Sequence, residues 1–247
     1  MARLARAPPR SASDCGPNAP GRVGLNVGCE LTLFDQGIMP GRTFGHRTAL
    51  LGPLYFLRPV FDIRLNRLLR RLGRSARDAG FDGPLTYGSG TWESVDWSRF
   101  DMVGVDYYLD AGTRGDYRGG LRSLRRWDKP VLVTESGCCA YEGTREAGGG
   151  GADIPDWNDS SDRRVKPGYL RDESVQADAI EELLDVYETE EVHRAFVCMF
   201  LEGDRRYSDD PERDQDKASF GMVRPPSLES GLPPTTAAGG RRRRSMP

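Results

Sequence analysis

The sequence has very little histidine: two residues, His46 and His193. Its five cysteines, at 15, 29, 138, 139 and 198, include no C-x-x-C pair. A structural zinc site is therefore without its usual ligands, and no metal is expected. A disulfide framework is not expected in a chain of 247 residues. Net charge is nearly absent too. The 35 basic and 37 acidic residues leave −2, which argues against a dedicated nucleic-acid binder. The longest purely apolar run, 195–201, falls far short of the roughly 18 residues that a spanning helix needs. No apolar stretch follows the N-terminal arginines, so no secretory leader is expected either. These absences lead to the expectation of a cytoplasmic protein with no membrane partner. No cofactor-binding motif is expected: Gly148–Gly151 lacks the Lys-Ser/Thr that follows the glycines of a phosphate loop.

Hydrophobic residues make up 37% of the chain, which suffices for a core. They are unevenly spread. Residues 1–22 hold four Pro and four Arg with no apolar periodicity, and segment 225–247 holds two Pro-Pro pairs and the run Arg241–Arg244. Neither buries enough apolar surface to offset ordering, so both are expected to be disordered, the second as a basic tail. The organised body is 23–224.

Within that body extended and helical patterns alternate. Strands are expected at 23–28, 84–87, 101–107, 130–134 and 193–200. Helices are expected at 62–79, 117–127 and 172–188. Leu65, Leu68, Leu69, Leu72 and Ala76 share one face of the first helix, and Ala177, Ile180, Leu184 and Tyr187 share a stripe of the last. Strands separated by helices imply a parallel sheet of right-handed crossovers, an α/β fold.

In such sheets chemistry gathers at the carboxyl ends of the strands. Here the successive ends read Cys29-Glu30, Tyr87 with Trp92-Glu93, Asp106-Tyr107-Tyr108, and Thr134-Glu135-Ser136. Two glutamates directly after strands suit glycoside hydrolysis, in which one carboxyl donates a proton and the other attacks or stabilises the anomeric carbon. A spacing of about 5–5.5 Å between them signifies retention, and about 6.5–9.5 Å inversion. Trp92, Tyr107 and Tyr108 offer flat apolar faces with polar tips to a pyranose ring. Either glutamate alone would equally serve as a salt-bridge partner or helix cap.

The stretches GLNVGCELTLFDQGIMPG, GPLTYGSGTWESVDWSRFDMVGVDYY and KPVLVTESGCCAYEG resemble glycosidase-superfamily (β/α)8-barrel proteins of actinobacterial type, some labelled abortive infection proteins. More remotely they resemble the clan of retaining glycosidases. RDESVQADAIEELLDVYE and DQDKASFGMV extend the resemblance over about 23–224. It implies a TIM-barrel-like fold with Glu30 as acid/base, Glu135 as nucleophile and a carbohydrate as partner. Tyr87, Trp92, Glu93, Asp106, Tyr107 and Tyr108, at or just after the strand ends, are the substrate-binding candidates. The clan carries Asn before the acid/base glutamate, where this chain has Cys29; Asn26 shares the face of Glu30 by alternation along a regular strand and is the candidate substitute.

If 23–28 is barrel strand four, the five strands are strands four to eight, an incomplete or truncated barrel. Its open edges would favour self-association. A carbohydrate-binding or interaction protein without turnover, and a fragment without independent activity, remain alternatives. Cys138-Cys139 reads as a pair of small buried residues. Gly148–Gly151 reads as a mobile loop with lid potential, and the acids at 209, 210, 214 and 216 as a solvated loop.

Overall fold

The computed structural model describes residues 24–157, 163–227 and 240–241. The disorder expected at 1–22, and at 228–239 and 242–247 of the tail, lies outside the described residues.

Among those residues the main sheet has five strands in sequence order: β1 Leu25–Cys29, β2 Leu85–Ser89, β3 Val103–Asp106, β4 Val131–Ser136 and β5 Arg194–Val197. The sheet is parallel. Leu25 lies beside Leu85 and Asn26 beside Thr86; Gly88 lies beside Gly104 and Ser89 beside Val105. β4 and β5 advance together, with His193 N donating to Val131 O at 2.9 Å and Cys198 N to Ser136 O at 2.8 Å. Parallel neighbours need long crossovers. These contain α3 Arg58–Asp78 between β1 and β2, α4 Tyr117–Leu124 between β3 and β4, and α5 Glu173–Thr189 between β4 and β5. The α/β class read from the alternating patterns is the observed one. A separate two-residue strand, β6 Val223–Arg224, pairs antiparallel with β7 Gly240–Arg241.

Local sequence accounts for most boundaries. α3 buries Phe61, Leu65 and Leu69, with Leu68, Leu72 and Ala76 half-buried along the same stripe. It starts four residues before the expected 62 because Pro59, in its first turn, has no N–H to leave unpaired there. α5 starts after Asp172, whose carboxylate accepts from Ser174 N at 2.9 Å and Val175 N at 3.4 Å. Its buried face is Gln176, Ala179, Leu183, Val186 and Tyr187, while Ala177, Ile180 and Leu184 are only half-buried. The apolar pattern misplaced this face because Gln176 belongs to it: its Nε2 donates to Cys138 O at 2.6 Å. Two short helices, α1 Leu31–Phe34 and α2 Phe44–Leu50, were not anticipated; they are too brief for a helical period to show.

The chain divides into two compact units. The first takes the described part of Met1–Tyr107 with Leu121–Thr134 and Glu191–Arg194. Its core packs α3 against Leu85, Tyr87, Val103 and Val131, with Trp97 and Phe100 alongside. The second takes Tyr108–Gly120, Glu135–Glu190 and the described part of Ala195–Pro247. Its core gathers Cys139, Tyr141, Ile154, Val165, Ala218 and Phe220. No helix among the described residues is long and apolar enough to cross a membrane.

One loop expectation is corrected in the second unit, and another is refined. Asp214 and Asp216 are buried rather than solvated, because Arg171 pairs with both: Nη2 lies 2.7 Å from Asp214 and 2.8 Å from Asp216. The glycine run, expected as a loop, is packed at its two ends: Gly148 and Gly151 are buried while Gly149 and Gly150 are exposed. Gly148–Asp153 forms a 3-10 turn in which Tyr141 Oη donates to Gly151 O at 2.9 Å. Gly148 has φ +52°, and a Cβ there would meet Asp110 Cβ at 2.6 Å. Cys138 and Cys139 are buried, and burial pushes both thiols up, Cys138 to about 11.

Candidate active site

β1 ends in a bulge. Asn26 lies beside Thr86 but Cys29 beside Gly88, so three steps along β1 match two along β2. The side-chain amide of Asn26 serves this irregularity, its Oδ1 accepting from Gly28 N and Gly88 N, both at 3.2 Å. The extra residue breaks the alternation that placed Asn26 and Glu30 on one face, which corrects that inference. Asn26 anchors backbone at the bulge.

Glu30 follows directly, in the left-handed region with φ 42° and ψ 43°. Such a backbone costs a non-glycine residue roughly 1–3 kcal/mol and persists only where the surroundings fix it. Here they do. Glu30 N donates to Gly88 O at 2.8 Å, and Glu30 O accepts from Leu33 N at 2.8 Å and Phe34 N at 3.1 Å. The next two amides are also held: Leu31 N donates to Tyr87 Oη at 2.7 Å and Thr32 N to Glu93 Oε1 at 2.9 Å. Tyr87 Oη in turn donates to Glu93 at 2.9 Å, and Gly90 N donates to Glu93 Oε2 at 3.1 Å. Tyr87 is 0% exposed, in the core of the first unit, and Glu93 is buried beside it. Burial raises the Glu93 carboxyl, and burial together with the Glu93 charge raises the Tyr87 phenol well above its ordinary value. Both were read from sequence as substrate-facing; the structure places them behind the strand ends.

The third strand delivers Asp106, buried, with a carboxylate that accepts from Cys29 Sγ at 3.1 Å and Thr134 Oγ1 at 2.6 Å. Gly88 makes room for it, since a Cβ there would lie 3.0 Å from Asp106 Oδ2 and 3.2 Å from Thr134 Oγ1. Thr134 was not singled out from sequence; its place directly before Glu135 was the available signal. Tyr107 is half-buried after β3. Trp92 is half-buried over Gly90, where any Cβ would meet the indole ring at 2.3 Å. Its indole N–H is buried with no hydrogen-bond partner among the described residues.

In the second unit Glu135, half-buried in β4, accepts a short hydrogen bond from Tyr108 Oη. The Tyr108 ring packs on Phe220, centroids 5.2 Å apart. Burial, then the Glu135 charge, raises the Tyr108 phenol, so the hydroxyl stays a donor to the carboxylate. Burial and the same charge push the Cys198 thiol up to about 12. Glu202, raised by burial, accepts from Phe220 N at 3.3 Å and pairs with Arg205 at 2.5 Å. Cys198 and Glu202 lie within and just after the longest apolar run, where no motif marks them as site residues.

Each unit thus holds a glutamate at a strand end within an ordered polar network. Tyr108 keeps Glu135 hydrogen-bonded, and the backbone around Glu30 is fixed on both sides.

No protein-family profile matches the chain, and no curated protein matches it. Solved structures do. The chain is similar to the GH113 β-mannanase AaManA from Alicyclobacillus acidocaldarius in complex with ManMIm, at 19% identity and a TM-score of 0.38, over 50% of this chain and 36% of that one. It is similar to a GH113 β-1,4-mannanase complex at 15% identity and TM-score 0.43, over 67% of this chain and 49% of that one. A further GH113 β-1,4-mannanase structure matches at 16% identity and TM-score 0.43, over 64% and 48%. The chain spans half or less of the length of these structures.

Proposed function

We propose that this protein is glycoside hydrolase-like and works on a carbohydrate by a retaining two-glutamate mechanism. Glu135 attacks the anomeric carbon, and protonated Glu30 donates to the departing oxygen; water then releases the glycosyl-enzyme, with Glu30 as base. The observation that carries the reading is the placement of both glutamates at the carboxyl ends of parallel strands, Glu30 directly after β1 and Glu135 as the penultimate residue of β4. The hydrogen bond that Tyr108 Oη donates to Glu135 supports it by holding that carboxylate in a fixed position at the strand end. Asp106, Tyr107, Tyr108 and Trp92 are the proposed substrate-side residues, and Tyr87 and Glu93 act behind them.

A panel of aryl glycosides that includes β-mannosides tests the reading. Glu135→Gln should lower turnover by on the order of 10⁴ or more while sparing sugar binding, since shape is kept and the nucleophile is lost. Glu30→Gln should harm substrates with poor leaving groups far more than activated aryl glycosides, which need little proton donation. Equal activity of wild type and both variants would refute the assignment.

A second reading is sugar binding without turnover. It is favoured by the open form of the described sheet, which leaves β1 and β5 at its edges. Such edges also underlie a proposed self-association. Saturable sugar binding with no hydrolysis by wild type would select it.

A further inference from the structure

Tyr87 and Glu93 form a buried, hydrogen-bonded pair in the first unit beside a candidate catalytic residue, and neither is at a surface where a sugar could lie. Their bonds go elsewhere. Tyr87 Oη accepts from Leu31 N at 2.7 Å, and Glu93 accepts from Thr32 N at 2.9 Å, from Gly90 N at 3.1 Å and from Tyr87 Oη at 2.9 Å. Leu31 and Thr32 open α1, and their amides have no acceptor within that helix. The residue that caps this helix start is Glu30, without a side-chain cap of its own and in the left-handed region.

The geometry points to Tyr87 and Glu93 as positioning residues for Glu30: by taking the first two amides of α1, they lock the turn that presents the Glu30 carboxyl. The inference rests on the reading of Glu30 as the acid/base.

β2 then controls this residue from both sides. Gly88 O fixes Glu30 N at 2.8 Å, in line with the sheet, while the side chain of the preceding residue, Tyr87, points to the opposite face and fixes Leu31 N. Without the phenol, Leu31 N is left part-buried and without its acceptor; with Gln in place of Glu93, one acceptor oxygen must serve three donors. In either case the left-handed turn keeps its backbone bonds to Gly88, Leu33 and Phe34 but loses part of the network that holds the amides after it, and the Glu30 carboxyl moves relative to its surroundings. Raised values for the Glu93 carboxyl and Tyr87 phenol accord with a buried pair in which the phenol remains the donor.

The test is a carbon-13 titration of the Glu30 carboxyl by NMR in the full chain without any sugar. Tyr87→Phe and Glu93→Gln should each displace the Glu30 midpoint by more than about 0.5 pH unit relative to wild type. Thr86→Val, which removes a buried hydrogen bond from the same strand to Met102 O but touches nothing at 30–32, should leave it in place. No displacement in the first two variants, or equal displacement in all three, overturns the inference. Should the variants fail to fold, hydrogen exchange of the wild type still decides. Leu31 and Thr32 amides should be protected to the level of the β2 amides, and exchange at the rate of open amides overturns the claim. Because no substrate enters either measurement, a chain that hydrolyses nothing refutes the catalytic reading alone.

Discussion

Replacing Arg171 by Met should be among the most damaging single changes in the second unit. Arg171 Nε and Nη2 each lie 2.7 Å from an Asp214 oxygen, Nη2 lies 2.8 Å from Asp216 Oδ2, and Nη1 lies 3.1 Å from Glu173 Oε1. The side chains of Asp214 and Asp216 are 4% and 0% exposed. Met fills much of the volume but takes from two buried carboxylates the guanidinium that pairs with both. Removing one partner of a buried ion pair costs about 3–5 kcal/mol, a large share of the roughly 5–15 kcal/mol that a domain possesses. With a urea slope of about 2 kcal/mol/M, the midpoint should fall by about 2 M. Arg171→Met combined with Asp214→Asn and Asp216→Asn should recover part of that loss, because most of the damage is uncompensated charge rather than lost attraction. Urea unfolding followed by circular dichroism is the assay. A midpoint shift under about 0.5 M, or no recovery in the triple variant, would refute the reasoning.

Gly148→Ala should destabilise by about 1–3 kcal/mol, since it adds a Cβ at φ +52° within 2.6 Å of Asp110 Cβ; thermal unfolding checks it. Leu65→Ala empties a fully buried position on α3 and should cost about 2–5 kcal/mol by the same measurement. Burial and Arg194 hold the His193 imidazole below its ordinary 6.5. The unfolded state then binds the proton first, so stability should fall as pH drops through 6.5, and His193→Gln should flatten that slope in urea midpoints between pH 7 and 5. Cys198 has the opposite limb: its thiol is raised from 9.0 to about 12, so the stability it confers is full below pH 9 and is lost as pH rises toward 12. Cys198→Ser should change the alkaline slope of the unfolding midpoint and leave the neutral region flat.

Where a fold element buries a regular apolar pattern, its sequence announces it. The run of Val131, Leu132 and Val133, the stripe of α3 and the Asp172 cap of α5 each carry their own local signal. Those signals suffice for a parallel α/β sheet with glutamates at two strand ends. What was illegible depended on partners distant in sequence. The bulge between Asn26 and Cys29 adds a single residue, and only the register against β2 exposes it. Asp214 and Asp216 read as solvated until Arg171, more than forty positions earlier, is seen beside them. Tyr87 and Glu93 look ligand-facing by their place after a strand, yet Tyr87 points into the core and draws Glu93 with it. Gly148–Gly151 has loop composition, but close approach to Asp110 and Thr144 is what glycine supplies there.

Whether Glu135 forms the covalent bond to sugar is decided by trapping. The full chain is incubated with a panel of 2-deoxy-2-fluoro glycosides bearing activated leaving groups, then digested and mapped by mass spectrometry. One glycosyl adduct is expected on the peptide carrying Glu135, absent in Glu135→Gln. An adduct on another carboxylate, or one that persists in Glu135→Gln, would contradict it.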